Sequence, residues 1–253
     1  MISRIRSFPA ALLLALAALV AAAAPAAAMT VSPVVLNLST SGRGMTQTIN
    51  VENSFATPLA VELRVEELLP DGNGFTSTAK DPGDLLVFPP QAMIQPGQTQ
   101  AFRVQYVGDP DLARSKHYYV TVAQLPLQRG EGQPNIQVLY NFQVLVSVSP
   151  QGAKPALTVP RAEVAATDDR RPAVALTVAN TGTAHGYLSE GRLRIVQKDR
   201  SGKRLSEKSF AGTDIQQAIG YGLIASGQTR RVIVPIDLAA PDVTVEAFFT
   251  PEG

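Results

Sequence analysis

The sequence predicts an all-β protein made of two immunoglobulin-like β-sandwich domains, and three observations lead to that fold class. After residue 28 the apolar runs are short, rich in Val, Leu and Ile, and separated by Gly, Pro, Asn and Asp, a spacing typical of sandwich strands. Two pairs of segments resemble each other about 130 residues apart, as expected of a duplicated module. Helical periodicity is nearly absent, since residues 213–225 favour one helical turn at most.

Residues 1–28 have the pattern of an export signal peptide. Two Arg lie within the first six residues, an Ala-rich apolar stretch follows, and three Ala end the segment at a small-residue cleavage site. A membrane-spanning helix is disfavoured because the apolar run is mainly Ala and is interrupted by Pro25. We expect cleavage before Met29, to within a residue or two, and a mature chain outside the cytoplasm with no membrane insertion.

The charge and cysteine content exclude several kinds of partner and stabilisation. Without the two Arg of the signal, 20 Lys and Arg (22 − 2) remain against 21 Asp and Glu. A net charge near −1 favours neither nucleic acid nor an anionic membrane as a partner of the mature chain. The chain has no Cys, so each domain must be stabilised by its apolar core rather than by disulfides.

The internal repeat indicates two sandwiches of similar plan. Val51-Glu52-Asn53 aligns with Val178-Ala179-Asn180, and Gly97-Gln98-Thr99 aligns with Gly227-Gln228-Thr229. The two alignments have nearly the same offset, which is what a duplicated sandwich would produce.

We expect an N-terminal domain over residues 29–151 and a C-terminal domain over residues 152–253. The join is the sequence PQGAKP, residues 150–155, where two Pro and one Gly interrupt strand pairing. A connection this short keeps the domains in contact and predicts a cleft between them.

The last apolar segment of the first domain, residues 136–148, alternates apolar and polar side chains over most of its length. This period of two predicts a strand about twice the usual length of five or six residues. One interpretation is an ordinary core strand. The alternative is an exposed edge strand, because the segment follows a polar Gly- and Pro-rich loop and is too long for a small sandwich to cover.

An exposed apolar edge promotes aggregation unless Lys, Pro or a bulge protects it. Residues 136–142 contain no Lys or Pro, which favours donation of this strand to a partner whose sheet has an open edge. Four such side chains would contribute roughly 6–12 kcal/mol on burial, before the costs of ordering and association are subtracted.

The order and spacing of four segments resemble the periplasmic pilus-assembly chaperones of the PapD kind. These segments are VSPVVLNL, PPQAMIQPGQTQAFRV, RSKHYYVTVAQLP and LIASGQTRRVIV, and the second is most similar to the archaic, Csu-type branch. The resemblance covers essentially the whole mature chain. It implies two immunoglobulin-like domains in a boomerang arrangement, in which the last strand of the first domain completes pilus subunits that lack a strand.

The resemblance also implies roles for particular residues. Ile136, Val138, Tyr140 and Phe142 would form the donor row, whereas Val144, Val146 and Val148 would continue into the core of the chaperone itself.

The charged anchor of the family is not matched. Well-studied members hold the terminal carboxylate of the subunit with one Arg on the first strand and one Lys on the donor strand, as a carboxylate requires. A gap-free comparison puts Leu36 and Leu145 at those positions. Arg103, which alternates with apolar neighbours and should project from its sheet, is a substitute candidate; a solvated surface Arg is the alternative.

No catalytic or metal-binding pattern is present. The only two His, His117 and His185, are too few for a zinc or copper site in a chain without Cys. The segment Asp71–Gly74 contains a single acidic residue, so a turn is the preferred interpretation and a calcium site is the alternative. No nucleophile elbow, zinc-protease helix or phosphate loop occurs. We therefore expect no cofactor, no metal and no enzymatic activity.

The sequence thus predicts a periplasmic chaperone that binds, folds and caps pilus subunits and delivers them to an outer-membrane usher. Self-association through the exposed edge strand is a further expectation. The alternative is a structural or adhesive component of a surface fibre made of two immunoglobulin-like modules. A β-sandwich glycan hydrolase is a more distant third, because convergent carboxylates are not evident.

Overall fold

The computed structural model describes residues 28–127 and 138–252. The described part of the chain forms two β-sandwiches, as the sequence predicts. Strands of the first sandwich are β1 (Met29–Ser32), β2 (Val35–Ser39), β3 (Thr46–Asn53), β4 (Leu59–Pro70), β5 (Phe75–Ser77), β6 (Leu85–Phe88), β7 (Gln91–Ile94), β8 (Thr99–Tyr106), β9 (Lys116–Gln124) and β10 (Asn141–Ser149).

The strands of the first sandwich form two facing sheets. One sheet has the order β1-β3-β8-β6, and the other has the order β2-β10-β9-β4-β5, with β7 also pairing β4. The alternating apolar positions of both sheets point between them and form a single core. Its fully buried members include Leu36, Ile49, Val51, Phe102, Val104, Tyr106, Tyr118, Val120, Val122, Val144, Val146 and Val148.

The first segment of the domain contributes to both sheets. β1 pairs antiparallel with β3 in one sheet, whereas β2 pairs parallel with β10 in the other. The break falls at Pro33, which has no backbone N–H to continue the β1 ladder. As a result β2 covers one part of the outer edge of β10.

The second sandwich follows a short connection that turns at Gly152. Its strands are β11 (Leu157–Ala166), β12 (Pro172–Asn180), β13 (Gly186–Tyr187), β14 (Gly191–Lys198), β15 (Arg204–Phe210), β16 (Leu223–Ile224), β17 (Thr229–Pro235) and β18 (Thr244–Pro251). The sheets have the orders β11-β12-β17, β13-β16 and β15-β14-β18. A second apolar core lies between them, and no strand pairing joins the two sandwiches among the described residues.

The helix α1 (Gly212–Ile219) is longer than the single turn that the sequence favours. The carboxylate of Asp214 accepts a hydrogen bond from the backbone N–H of Ala211 at 3.0 Å and so closes the start of the helix. Ile215 is buried in the second core, and Ile219 packs against its margin. Tertiary packing therefore stabilises two turns that a weak periodic pattern does not predict. None of the described helices is long and apolar enough to cross a membrane.

The repeat seen in the sequence is a repeated set of hydrogen bonds. Asn53 and Asn180 each end a strand and are almost completely buried. In the first sandwich the backbone N–H of Asn53 donates to Gln98 O, and Gly97 N donates to Asn53 O. The equivalent bonds in the second sandwich join Asn180 to Gln228 and Gly227.

The side-chain amides of Asn53 and Asn180 also make equivalent hydrogen bonds. The Nδ2 atom of Asn53 donates to Thr57 O and Ile94 O, both at 2.9 Å. That of Asn180 donates to Ala184 O at 2.9 Å and to Ile224 O at 3.2 Å. In each sandwich one buried amide thus fastens the loop after its strand to the strand that precedes the Gly-Gln turn.

Candidate functional site

The outer edge of β10 is only partly covered. Residues Asn141–Val148 of β10 pair with β9 along their whole length, but the parallel pairing with β2 begins at Leu145. The backbone N–H of Leu145 donates to Val34 O at 3.0 Å. Because alternate N–H groups of a strand point to the same edge, the N–H of Gln143 points to the side where, among the described residues, no strand lies.

β10 is shorter than the predicted strand. It begins at Asn141, and Val138–Tyr140 precede it without strand assignment. Ile136 lies outside the described residues. The physical reason is the length of the neighbouring strand: β9 ends at Gln124, which bonds to Tyr140, so the residues before Tyr140 have no continuing ladder to join.

The apolar row passes from the core of the protein to its surface. Val144, Val146 and Val148 are fully buried, and Phe142 is partly buried against the same core. Tyr140 and Val138 are 44% and 65% exposed. The row therefore begins as surface and ends as core, and Phe142 lies at the boundary.

Tyr140 is held in place by the body of the first sandwich. Its carbonyl accepts a hydrogen bond from Gln124 N at 2.9 Å, and its N–H donates to Gln124 Oε1 at 3.2 Å. Its ring lies 6.2 Å from the ring of Phe55, which is in the loop between β3 and β4. The exposed end of the row thus has a defined position at Tyr140.

The residues considered as a carboxylate anchor are separated in the structure. Leu36 points into the first core, whereas Leu145 is half-buried on the opposite face of its sheet. Arg103 is exposed on β8, in the sheet that does not contain β10, and donates to Gln105. The geometry described here gives Arg103 no support as an anchor, and that role stays a prediction.

A polar cluster with a buried centre at His117 and Ser147 joins the two sandwiches beside β10. From the first sandwich, Asn37, His117, Ser147 and Ser149 lie on the sheet face opposite the core; from the second, His185 meets them. His185 Nε2 lies 2.9 Å from Asn37 Oδ1, and its Nδ1 lies 3.0 Å from Ser149 Oγ. His117 Nδ1 lies 2.9 Å from Ser147 Oγ.

Tyr187 completes this cluster from the second sandwich. Its hydroxyl donates to Asn37 Oδ1 at 2.9 Å and lies 3.4 Å from Ser147 Oγ. Burial raises the pKa of the Tyr187 hydroxyl to about 12, so it remains a neutral donor at physiological pH.

The two His rings meet edge to face, with centroids 5.4 Å apart. Burial lowers the pKa of His117 to about 3, with a smaller contribution from His185. Burial likewise lowers the pKa of His185 to about 4. The sequence offers no signal for this meeting, because the two His are 68 residues apart in chain positions (185 − 117) and belong to different sandwiches.

The turn Asp71–Gly74 forms a second contact between the sandwiches. Asp71 Oδ1 accepts from the N–H groups of Asn73 and Gly74, so the carboxylate shapes the turn. Gln228 Nε2 then donates to Asp71 O at 2.7 Å and to Gly74 O at 2.9 Å. Arg230 Nε donates to Asn73 O at 3.0 Å. This turn is an interdomain contact, and the described residues contain no group of three His, Cys, Asp or Glu suited to a metal ion.

A comparison with protein families identifies the family of the first sandwich. Residues 28–154 match the pili and flagellar-assembly chaperone family, PapD N-terminal domain. This range covers the first sandwich with β10 and the connection that follows it. No curated protein sequence matches the chain.

Solved structures of similar fold come from fimbrial chaperones. The class 5 fimbriae chaperone CfaA superposes with a TM-score of 0.52 at 10% identity, covering 89% of this chain and 100% of CfaA. A chaperone–tip adhesin complex of CFA/I fimbriae biogenesis gives 0.50 at 11% identity, with coverages of 89% and 100%. At these identities the likeness shows the fold.

A third structure is the CsuC–CsuE chaperone–tip adhesin complex from the archaic Csu pili of Acinetobacter baumannii. It gives a TM-score of 0.49 at 12% identity, covering 81% of this chain and 90% of that one. A score at this level adds no argument about the branch to which the chain is closest.

Proposed function

This chain belongs to the pili and flagellar-assembly chaperone family, and we propose that it binds, folds and caps pilus subunits by donating the first half of its β10 segment. The complex would then pass to an outer-membrane usher, and the chain would act in the periplasm after removal of residues 1–28. No chemical step is required, because another subunit's strand can displace the donor segment. An enzymatic activity is not part of this proposal.

The partly covered edge of β10 is the observation that supports this function most strongly. On one side of Gln143 and Asn141 the backbone has no neighbouring strand among the described residues. On the inward side the exposed side chains of Val138 and Tyr140 continue the row of the buried Val144. A subunit that lacks one strand needs both features, because backbone bonds give affinity and alternate side chains fill its core.

Burial of the exposed apolar side chains contributes favourably to capture. Complete burial of the exposed side chains at Val138 and Tyr140, together with the remaining surface of Phe142, would contribute several kcal/mol at about 1.5–3 kcal/mol for each side chain. Part of this is offset by the ordering of Val138–Tyr140 and by association. The contacts of Tyr140 with Gln124 and Phe55 reduce the ordering cost.

Co-expression with a pilus subunit of the same organism tests the proposal. The variant Val138→Asp, Tyr140→Asp places two charges where the subunit core would be, and we expect recovery of the one-to-one complex from the periplasm to fall at least tenfold. Leu139→Asp is the matched control: the residue is in the same segment and is 41% exposed, but it is not in the row.

Thermal unfolding of each purified variant establishes that the sandwich is intact. Equal recovery of complex with the double variant and the wild type would contradict the donor role. Loss of complex with Leu139→Asp to the same extent would show that the segment acts through charge or solubility and not through its apolar row.

A further inference from the structure

Both His of this chain lie in the contact between its two sandwiches, His117 buried and His185 partly buried. His117 is 1% exposed on β9, and His185 lies just before β13. Their rings are 5.4 Å apart, with Phe75 and Tyr187 edge to face on the outer sides at 5.0 and 5.2 Å. Two imidazoles stacked edge to face at such a contact disfavour a charge on either ring, because each loses part of its hydration and a charge on one repels a charge on the other.

The hydrogen bonds fit a neutral His185. Its Nε2 faces Asn37 Oδ1, an acceptor, and therefore has the proton. Its Nδ1 then accepts from one of two hydroxyls, Ser149 at 3.0 Å or Ser115 at 3.2 Å, which are themselves hydrogen-bonded at 2.7 Å. Ser115 Oγ also accepts from His185 N at 2.8 Å. A second proton on Nδ1 would force these hydroxyls to reverse their roles.

His117 is even less able to accept a proton. Its Nδ1 lies 2.9 Å from Ser147 Oγ, and its Nε2 is buried with no hydrogen-bond partner among the described residues. A protonated ring would therefore place an unpaired N–H and a charge in the contact, at a cost that a neutral ring avoids.

Among the residues that the structure describes, no carboxylate is placed to compensate for such a charge. The ring of His117 faces His185 and Phe75, and that of His185 faces His117 and Tyr187. Leu68 of β4 lies opposite His117 in the ladder. Glu66 of β4 accepts from Ser77, and Lys116 of β9 pairs with Asp84. On the second sandwich, Arg230 donates to the backbone carbonyls of Asn73 and Leu223. The negative charge of Glu190 contributes to the raised pKa of Tyr187.

We propose that His117, His185 and Asn37 form an acid-labile joint that holds the second sandwich against the sheet containing β10 and releases it when the histidines are protonated. This joint does not depend on what the donor segment binds. Its consequence is that the cleft beside β10 has a fixed shape at neutral pH and loses it in acid.

The direction of the pH effect follows from the lowered pKa values of both histidines. In the closed joint these values are about 3 and about 4, whereas a solvated His has a pKa of about 6.5. The closed form is therefore favoured fully above pH 6.5 and loses its advantage as the pH falls below it. At pH 5 each His raises the equilibrium constant for opening of the joint roughly 30-fold relative to its value at neutral pH.

Nuclear magnetic resonance tests the titration directly. The chain has two His, so the mature protein should give two ring signals. We expect both to remain in the neutral form until the joint opens, and to titrate together in one cooperative step. Two independent titrations near pH 6.5 in the native protein would overturn the proposal, because they would mean that both rings are solvated.

A distance measurement tests the opening. The natural chain has no Cys, so Thr48→Cys and Ser209→Cys, both exposed and in different sandwiches, accept one spin label each. We expect the label–label distance distribution to broaden between pH 7 and pH 4.5. In the background His117→Gln, His185→Gln, which cannot be charged, it should stay unchanged.

An unchanged distribution in the labelled wild type at pH 4.5, with both His protonated, would overturn the joint. Equal broadening in the His→Gln background would overturn the role of the histidines. Should the double variant fail to fold, the single variant His185→Gln serves instead, and a pH dependence as steep as that of the wild type would count against the proposal.

Discussion

The ring of Tyr140 lies 6.2 Å from the ring of Phe55, tilted by 30°. Tyr140 belongs to the segment that we propose to enter a pilus subunit, whereas Phe55 is partly buried on the first core. The contact therefore positions an exposed part of the row before any partner is present. An ordered donor segment loses less entropy on binding than a free one.

Phe55→Ala should weaken capture of a pilus subunit without removing any residue of the donor row. An aromatic pair of this kind contributes about 0.5–1.5 kcal/mol, so we expect a roughly 2- to 12-fold rise in Kd, measured with a purified subunit by calorimetry. Phe248→Ala is the control, since Phe248 is an exposed aromatic residue of the second sandwich. Equal affinities of Phe55→Ala and wild type would show that Phe55 has no positioning role.

The duplicated Asn residues should each stabilise their own sandwich. Asn180→Ala leaves the carbonyls of Ala184 and Ile224 and the N–H of Gly182 without their side-chain partner. Unsatisfied buried groups of this kind cost about 1–3 kcal/mol. We expect the free energy of unfolding of the second sandwich to fall by that amount in urea titrations, with the first sandwich unaffected.

Asn53→Ala should give the mirror-image result, because Asn53 makes the equivalent bonds in the first sandwich. If either substitution destabilised both sandwiches equally, the two cores would unfold as one unit. Each Asn would then not stabilise its own sandwich independently of the other.

The repeat was predictable from the sequence because both sandwiches use the same residue types, an Asn at the strand end and a Gly-Gln turn, for the same local hydrogen bonds. The fold class followed for the same reason, since short alternating strands and turn residues are local signals. The helix α1 was missed because its stability comes from packing of Ile215 into the second core, which no local pattern displays.

The candidate site was only partly predictable. The alternating row was visible as a pattern, but the point at which it leaves the core depends on where β2 and β9 end. Leu36, the residue that the gap-free comparison aligns with the Arg of the family, points into the first core, and a shift of one residue along a strand moves a side chain to the other face. Asn37, the next residue, is the one that faces the second sandwich.

Gln228 and Gln98 are equivalent residues of the repeat with different surroundings, and they provide a matched pair of substitutions. Gln228 is buried and donates to Asp71 and Gly74 of the other sandwich, whereas Gln98 is exposed. Gln228→Ala should increase independent tumbling of the two sandwiches in NMR relaxation, whereas Gln98→Ala should leave it unchanged. The same effect from both substitutions would mean that the bonds to the Asp71–Gly74 turn do not restrain the sandwiches.

Asp84 should stabilise the first sandwich in a pH-dependent way. Its Oδ2 accepts from Lys116 Nζ at 2.8 Å and from the buried Tyr118 hydroxyl at 2.6 Å. Burial acts to raise the pKa of Asp84, but the bonds from Lys116 and Tyr118 outweigh it and hold the pKa below its usual value. The stabilisation is therefore complete above about pH 4 and is lost as the pH falls through the lowered pKa.

Asp84→Ala should lower the free energy of unfolding of the first sandwich by about 1–3 kcal/mol at pH 7, because Tyr118 loses its buried partner. The difference from wild type should shrink on acidification below pH 4. Asp242→Ala removes an exposed ion pair with Arg200 and should change stability by about 1 kcal/mol or less. A loss in Asp84→Ala that is no larger than in this control would contradict the assignment.

Backbone amide exchange at Gln143 tests the donor-strand account most directly. In the free protein the N–H of Gln143 should exchange rapidly, because it points to the uncovered edge of β10, whereas that of Val144 should be protected by β9. On addition of a purified pilus subunit, the account predicts strong protection at Gln143 with little change at Val144. A stable complex in which Gln143 still exchanges as fast as in the free chain would contradict the account.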